Sequence, residues 1–131
     1  DLGYDLHIKN NLKEAFFSLS ASWGIPAKTP PLELLGAPIW TTWAHFKDRI
    51  DQDTILQFAR EIRENEYPYH VLEIDDRWQV QYGDLAFDPE RFPDPKGMIQ
   101  ELHQMGFDVT AWVIPFFHPH SAAGQEAAET L

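Results

Sequence analysis

From Pro38 to Pro115 the chain switches back and forth between two kinds of hydrophobic patterning, and that alternation limits its fold more than any other feature. Ile39 to Ala44, rich in Trp and Thr, suits a pleated, half-buried surface and predicts a first strand. Asp51 or Asp53 then caps a helix whose Ile55, Phe58, Ala59 and Ile62 form one apolar stripe, while Arg60, Glu61, Arg63 and Glu64 face water. Tyr67-Pro68 ends it. His70 to Ile74 predicts a second strand, with the acidic pair Asp75-Asp76 at its C-terminal end. A loop through Trp78, Tyr82, Phe87 and Phe92 follows, broken by Pro89, Pro93 and Pro95. Asp94 caps the next helix with Pro95 at its first position; Met98, Ile99, Leu102 and Met105 supply the inward face, and Gly106 closes it. Val109 to Ile114 predicts a third strand, ended by Pro115.

Strands separated by helices imply right-handed βαβ units and a parallel sheet, so the fold class is α/β. A (β/α)8 barrel takes roughly 250 residues. The 131 residues here fit a partial (β/α)8 TIM barrel, its first three strands and their helices, with both sheet edges open. Ahead of it, Leu12, Ala15, Phe16 and Leu19 at helical spacing predict a helix over 11–23, with Asn10 or Asn11 as cap and Gly24 after it. Pro26, Pro30 and Pro31 then mark a linker. The expected division is therefore 1–37, a lead-in helix and linker from a preceding domain, and 38–131, the N-terminal portion of a barrel. A start on Asp1 rather than Met, and an Ala-rich tail after Ser121, add the expectation of a segment of something longer.

Charge and composition exclude several classes of function. Ten Lys plus Arg against 21 Asp plus Glu give a net charge of −11, with no basic cluster, which argues against nucleic acid or an anionic lipid surface as partner. Without cysteine there are no disulfides and no thiolate metal sites. No membrane segment is predicted, since no apolar run approaches 18 residues. Aromatics at 14%, five of them Trp, suit either a heavy core or a surface that stacks against sugars.

Ligands of parallel α/β sheets bind at the C-terminal ends of the strands, where the connecting loops vary without disturbing the sheet. Asp75 and Asp76 stand at such an end, either capping a loop and pairing with Arg77 or accepting hydrogen bonds from a ligand's hydroxyls. Trp43, Trp78, Tyr82 and Trp112 lie on neighbouring elements, core residues or stacking rings for a sugar. Trp40 and Trp43, three residues apart on one strand, are expected to face opposite sides. His45 is close enough in sequence to line the same pocket. His118 and His120 form an H-x-H pair with no third metal ligand nearby, so a loop or hydrogen-bonding role is expected. Gly97, Gly106 and Gly124 are isolated, and Ser121 has no strand-turn-helix context, so phosphate-loop and nucleophile-elbow motifs both fail.

Four segments together carry a family resemblance: 38–43 (Pro-Ile-Trp-Thr-Thr-Trp), 67–76 (Tyr-Pro-Tyr-His-Val-Leu-Glu-Ile-Asp-Asp), 83–95, containing Phe87-Asp88-Pro89 and Phe92-Pro93-Asp94-Pro95, and Ala111-Trp112-Val113-Ile114-Pro115. In order and spacing the chain resembles glycoside hydrolase family 31 from about Pro38 to Ser121, and its wording looks closest to the myogenesis-regulating glycosidase branch. The resemblance implies a retaining exo-acting α-glycosidase that removes terminal α-linked glucose, galactose or xylose through a glycosyl-enzyme intermediate, with two carboxyl groups about 5 to 5.5 Å apart. Those two groups belong to strands four and six, beyond this chain, so the pattern implies no catalytic residue here. It implies instead that Asp75 holds hydroxyls of the sugar in subsite −1, that Trp43 and Trp112 wall that subsite, and that Asp76, Trp78 and Tyr82 lie on the leaving-group side. No metal and no organic cofactor are implied. Many members carry Asp or Asn where this chain has Ile114, before Pro115. The alternative is a non-catalytic carbohydrate-binding or scaffold protein that keeps the barrel.

Overall fold

A computed structural model describes residues 3–24 and 28–130, so Pro26 of the expected linker lies outside the described residues. The chain divides into two compact units, Asp1–Pro31 and Leu32–Leu131.

The first unit contains helix α1, Leu12–Trp23, and the sequence signals for it are met. Asn11 is its cap, the side chain accepting a hydrogen bond from the Glu14 N–H at 2.9 Å. Leu12, Phe16, Leu19 and Trp23 remain exposed.

The second unit opens on a short helix, α2 (Glu33–Gly36), and then runs β1 (Ile39–Thr41), a short helix α3 (Trp43–Phe46), α4 (Gln52–Glu64), β2 (Val71–Ile74), α5 (Pro95–Gln104), β3 (Asp108–Ala111) and α6 (Ala122–Thr130). The strands pair in parallel in the order β1-β2-β3, with Thr41 opposite Glu73 and Glu73 opposite Thr110. This is the partial (β/α) barrel that the alternating pattern predicts.

Trp40, Leu72, Ile74 and Val109 of the sheet meet the helices. Leu72 and Ile74 of β2 enter a core with Ile55, Ala59 and Ile62 of α4, Met98 and Leu102 of α5, and Trp78, Phe92 and Phe107 from the connections. Trp40 packs on the same side, edge-on to Phe58 at 6.0 Å, its Nε1 donating to the Pro68 carbonyl at 3.0 Å. By strand alternation and register, Ile39, Thr41, Val71, Glu73, Asp108 and Thr110 share the opposite face.

Helices α4 and α5 both begin on a carboxylate cap. Asp51 accepts from the Thr54 N–H at 2.8 Å and Asp94 from the Gly97 N–H at 2.9 Å. Both end the same way. A left-handed residue, Glu66 (φ +55°) after α4 and Gly106 (φ +94°) after α5, turns the chain, and the next N–H reaches five residues back, Tyr67 to Ile62 O and Phe107 to Leu102 O. Helix α4 thus stops at Glu64, ahead of the Tyr67-Pro68 expected to end it.

Two strands are shorter than their sequence signal. β1 leaves the sheet after Thr41 because Thr42 takes helical dihedrals (φ −67°, ψ −24°) and starts α3. Trp43 therefore does not lie on the strand opposite Trp40, as alternation along 39–44 would have it. β3 ends at Ala111, although the Trp112 N–H still donates to Ile74 O at 2.8 Å. The Ala-rich stretch after Ser121 is a helix, capped by the buried Ser121 hydroxyl, which accepts from the Gly124 N–H at 2.9 Å.

Candidate functional site

The C-terminal ends of β1 and β2 meet at Asp75. Thr42, 0% exposed, ties β1 to β2 twice: its N–H donates to Glu73 O at 3.1 Å and its hydroxyl accepts from the Asp75 N–H at 2.9 Å. The Asp75 carboxylate is fixed through both oxygens. Oδ1 accepts from the Asp76 N–H at 2.7 Å, and Oδ2 from the Thr41 hydroxyl at 3.3 Å. Asp75 continues the helix-averted face of β2 and stays half-buried, with lone pairs left over for a ligand.

Asp76 takes a different partner. Tyr82 donates its phenolic hydrogen to Asp76 Oδ2 at 2.5 Å, while Asp76 Oδ1 is buried with no donor among the described residues. The hydrogen bond to Asp76, then burial, raise the Tyr82 hydroxyl above its ordinary range, so it remains a donor at neutral pH. Tyr82 also meets Trp112 edge-on, ring centroids 6.2 Å apart. The Asp76–Arg77 peptide is cis.

Of the six candidates, Asp75, Asp76, Tyr82 and Trp112 gather around the ends of β2 and β3. Trp78 is linked to them but differently placed. Its indole N–H donates to the Trp112 carbonyl at 2.7 Å, its ring packs on Phe87 at 4.9 Å, and it is 5% exposed. Trp78 belongs to the core, one of the two alternatives expected of the rings, and is tied to Trp112 by that hydrogen bond. Trp43 stands apart on α3, exposed, with the Lys47 ammonium 5.1 Å from its ring centroid, and it reaches Asp75 through Thr41. His45 does not share the pocket. It lines a groove with Phe46, Asp53, Gln57, Phe58 and Glu61 beside α4.

Three further residues hold the loops in place. The Arg91 guanidinium donates to Arg77 O and to Asp48 O, both at 2.6 Å, and so clamps the connection after β2 to the one after β1. Asp84 accepts from the Ala122 N–H at 2.8 Å, and Gly83 (φ +99°) lets Phe117 come so near that a Cβ there would sit 2.5 Å from the ring. The loop after β2 thus rests on the one after β3. In sequence these three belonged to the family wording, but nothing in charge or periodicity marked them as clamps. A cleft of about 200 Å³ opens beside Tyr82, lined also by Arg77, Gln79, Val80, Gln81 and His118.

Metal chemistry finds no cluster here: among the described residues no three His, Asp or Glu come together. His118 Nδ1 accepts from the His120 N–H at 3.2 Å, a loop contact. Nor is Ser121 available as a nucleophile, since its buried hydroxyl donates to His118 O at 2.8 Å. A carboxylate with spare lone pairs at the C-terminal end of a parallel strand can accept hydrogen bonds from hydroxyl groups, and such folds place their ligands at that end of the sheet.

Comparison with known proteins identifies the family. Residues 27–130 match the family model of the glycosyl hydrolases family 31 TIM-barrel domain. The chain is 40% identical over 104 residues to the myogenesis-regulating glycosidase of Mus musculus, covering 79% of this chain and 14% of the relative. It is 31% identical to the alpha-xylosidase XylQ of Lactiplantibacillus pentosus, covering 78% of this chain and 13% of that one. It also resembles the crystal structure of a family 31 alpha-xylosidase from a soil metagenome complexed with xylose, at 27% identity and a TM-score of 0.62, covering 70% of this chain and 13% of that one. The chain spans about one-seventh of the length of the curated relatives it matches. It belongs to glycosyl hydrolase family 31 and forms part of the TIM barrel of that family.

Proposed function

We propose that this chain is the leading part of the barrel of a retaining exo-α-glycosidase acting on terminal α-linked glucose, galactose or xylose. Residues 1–37 serve as the lead-in and 38–131 as the first portion of the barrel. The nucleophile and the acid/base group are carried by strands outside these residues, and this segment binds the sugar. The observation that carries the reading is the fixation of Asp75 through both oxygens at the end of β2, with lone pairs to spare. A carboxylate so held accepts hydrogen bonds from ring hydroxyls, and those bonds strengthen as positive charge grows on the sugar towards the oxocarbenium-like transition state.

In this reading Trp43 and Trp112 wall subsite −1, and Asp76 with Tyr82 builds the leaving-group side, Trp78 supporting both from the core. The relatives named as a glycosidase and an alpha-xylosidase support that class of substrate. No cofactor takes part. The test is Asp75→Ala in the full-length protein with an aryl α-glycoside, following turnover and, by NMR, the anomer first released. Retention of configuration and a fall in kcat/KM of about 100-fold or more are expected. An unchanged rate would remove Asp75 from the pocket, and a protein that binds α-glycosides without cleaving them would be a carbohydrate-binding scaffold instead.

A further inference from the structure

The Thr41 hydroxyl stands between two elements of the site that belong to different parts of the chain. It accepts a hydrogen bond from the backbone N–H of Trp43, the first residue of α3, at 3.3 Å. It donates its own hydrogen to Asp75 Oδ2, also at 3.3 Å. The two bonds depend on each other: with the Trp43 amide occupying a lone pair, the hydroxyl hydrogen is left to point at the carboxylate. Thr41 lies on the helix-averted face of β1, directly opposite Glu73, so its side chain rises towards Asp75, two residues further along β2. Its neighbour Thr42 holds the Asp75 backbone, and Thr41 holds the carboxylate. The same hydroxyl thereby fixes where α3 begins, and with it the origin of the Trp43 side chain.

We propose that Thr41 is a positioning residue that sets the sugar-binding carboxylate Asp75 and the wall residue Trp43 in one register, acting on substrate only through them. The proposal rests on the glycosidase reading. Misplacing a binding group lowers the rate of the reaction it orients, although the fold survives. The experiment compares Thr41→Ser, Thr41→Ala and Thr41→Val in the full-length protein, each alone and combined with Asp75→Ala, on an aryl α-glycoside. Ser keeps the hydroxyl and should retain kcat/KM within about threefold, whereas Ala and Val should each lose about tenfold or more, mostly in kcat, at little change in melting temperature. In the Asp75→Ala background the loss should shrink, since one of the two groups being positioned is gone. Using both Ala and Val means that a folded, hydroxyl-free variant is available if one of them misfolds.

Wild-type activity in either hydroxyl-free variant would overturn the proposal. So would a Ser variant as impaired as Val, or a loss that persists undiminished beside Asp75→Ala. A wild-type protein that cleaves no α-glycoside would refute the glycosidase reading itself and the positioning role with it. An active enzyme indifferent to Thr41 refutes the positioning role alone.

Discussion

Replacing Tyr82 with Phe deletes one oxygen and leaves Asp76 without the donor that holds it. The phenol donates to Asp76 Oδ2 at 2.5 Å, and Asp76 Oδ1 is buried with no donor among the described residues, so little remains to hold the carboxylate in place. The aromatic contact with Trp112 survives the change. A hydrogen bond to a charged group contributes about 1.5–3 kcal/mol. Tyr82 is half-buried, so water recovers part of that, and about 1–2 kcal/mol is the expected net loss, equivalent to about 5- to 30-fold in an equilibrium constant. The pH dependence separates this bond from ordinary packing. The hydrogen bond to Asp76 raises the Tyr82 hydroxyl above its usual value near 10, so its stabilisation is complete below that value and is lost as pH rises through the higher folded one. Melting temperatures of wild type and Tyr82→Phe, measured from about pH 7 to about pH 11, should differ at neutral pH and converge in alkali. The wild-type minus variant difference in tyrosinate absorbance should show one phenol titrating above about 10. A stability gap that stays constant across the range, or a phenol ionising at or below the usual value, would show that this bond does not hold Asp76.

Two further outcomes follow from the caps and clamps. Asp51 starts α4, and hydrogen bonds from the Thr54 side chain and backbone lower its carboxyl below the ordinary value, so Asp51→Ala should cost about 1 kcal/mol at neutral pH. That stabilisation is present above the unfolded value near 3.9 and is lost as pH falls through the lower folded one, so denaturation midpoints of the two proteins should merge in acid. Arg91→Lys keeps the charge but loses the fork that bridges Arg77 O and Asp48 O, which a single ammonium cannot reproduce. The loops after β1 and β2 should then become more susceptible to limited proteolysis, with kcat/KM falling about tenfold while the bulk of the fold holds.

The helices were the most legible part of the sequence because their ends carry chemical signals. Asn11 and Asp51 are the caps where the pattern offers Asn10 or Asn11 and Asp51 or Asp53, Asp94 caps α5 as the pattern has it, and Gly106 closes α5 as its freedom at positive φ suggests. Glu66 performs the same left-handed turn after α4 without glycine, so nothing in the sequence announced it, and the stop was expected at Tyr67-Pro68. Strand lengths were less legible. Trp and Thr at 40–43 satisfy a strand pattern, yet the backbone turns at Thr42, since its N–H and hydroxyl are taken up by Glu73 and Asp75 more than thirty residues away. For the same reason Trp43 left the strand, and His45 went with it to the α4 side.

At the candidate site, the position of Asp75 and Asp76 followed from the rule that parallel sheets bind ligands at strand ends, and their division of labour did not. Which acid takes Thr41 and which takes Tyr82 depends on a loop that folds back six residues, information that lies in packing. Trp78 illustrates the limit of composition. Its ring suits a core and a sugar wall equally well until burial is known. Helix α6 carries weak signals, its cap Ser121 lying beside small residues, and it is held by Asp84 from another connection.

In the proposed reading, the ends of β1, β2 and β3 form the floor and wall of an α-glycoside pocket centred on Asp75. A crystal structure of the full-length protein soaked with the monosaccharide it releases tests this most directly. The sugar is expected between Trp43 and Trp112, with at least one hydroxyl within about 3.2 Å of an Asp75 carboxylate oxygen. A sugar bound elsewhere, or an Asp75 carboxylate still engaged only with Thr41 and the Asp76 amide while the pocket is occupied, would contradict it.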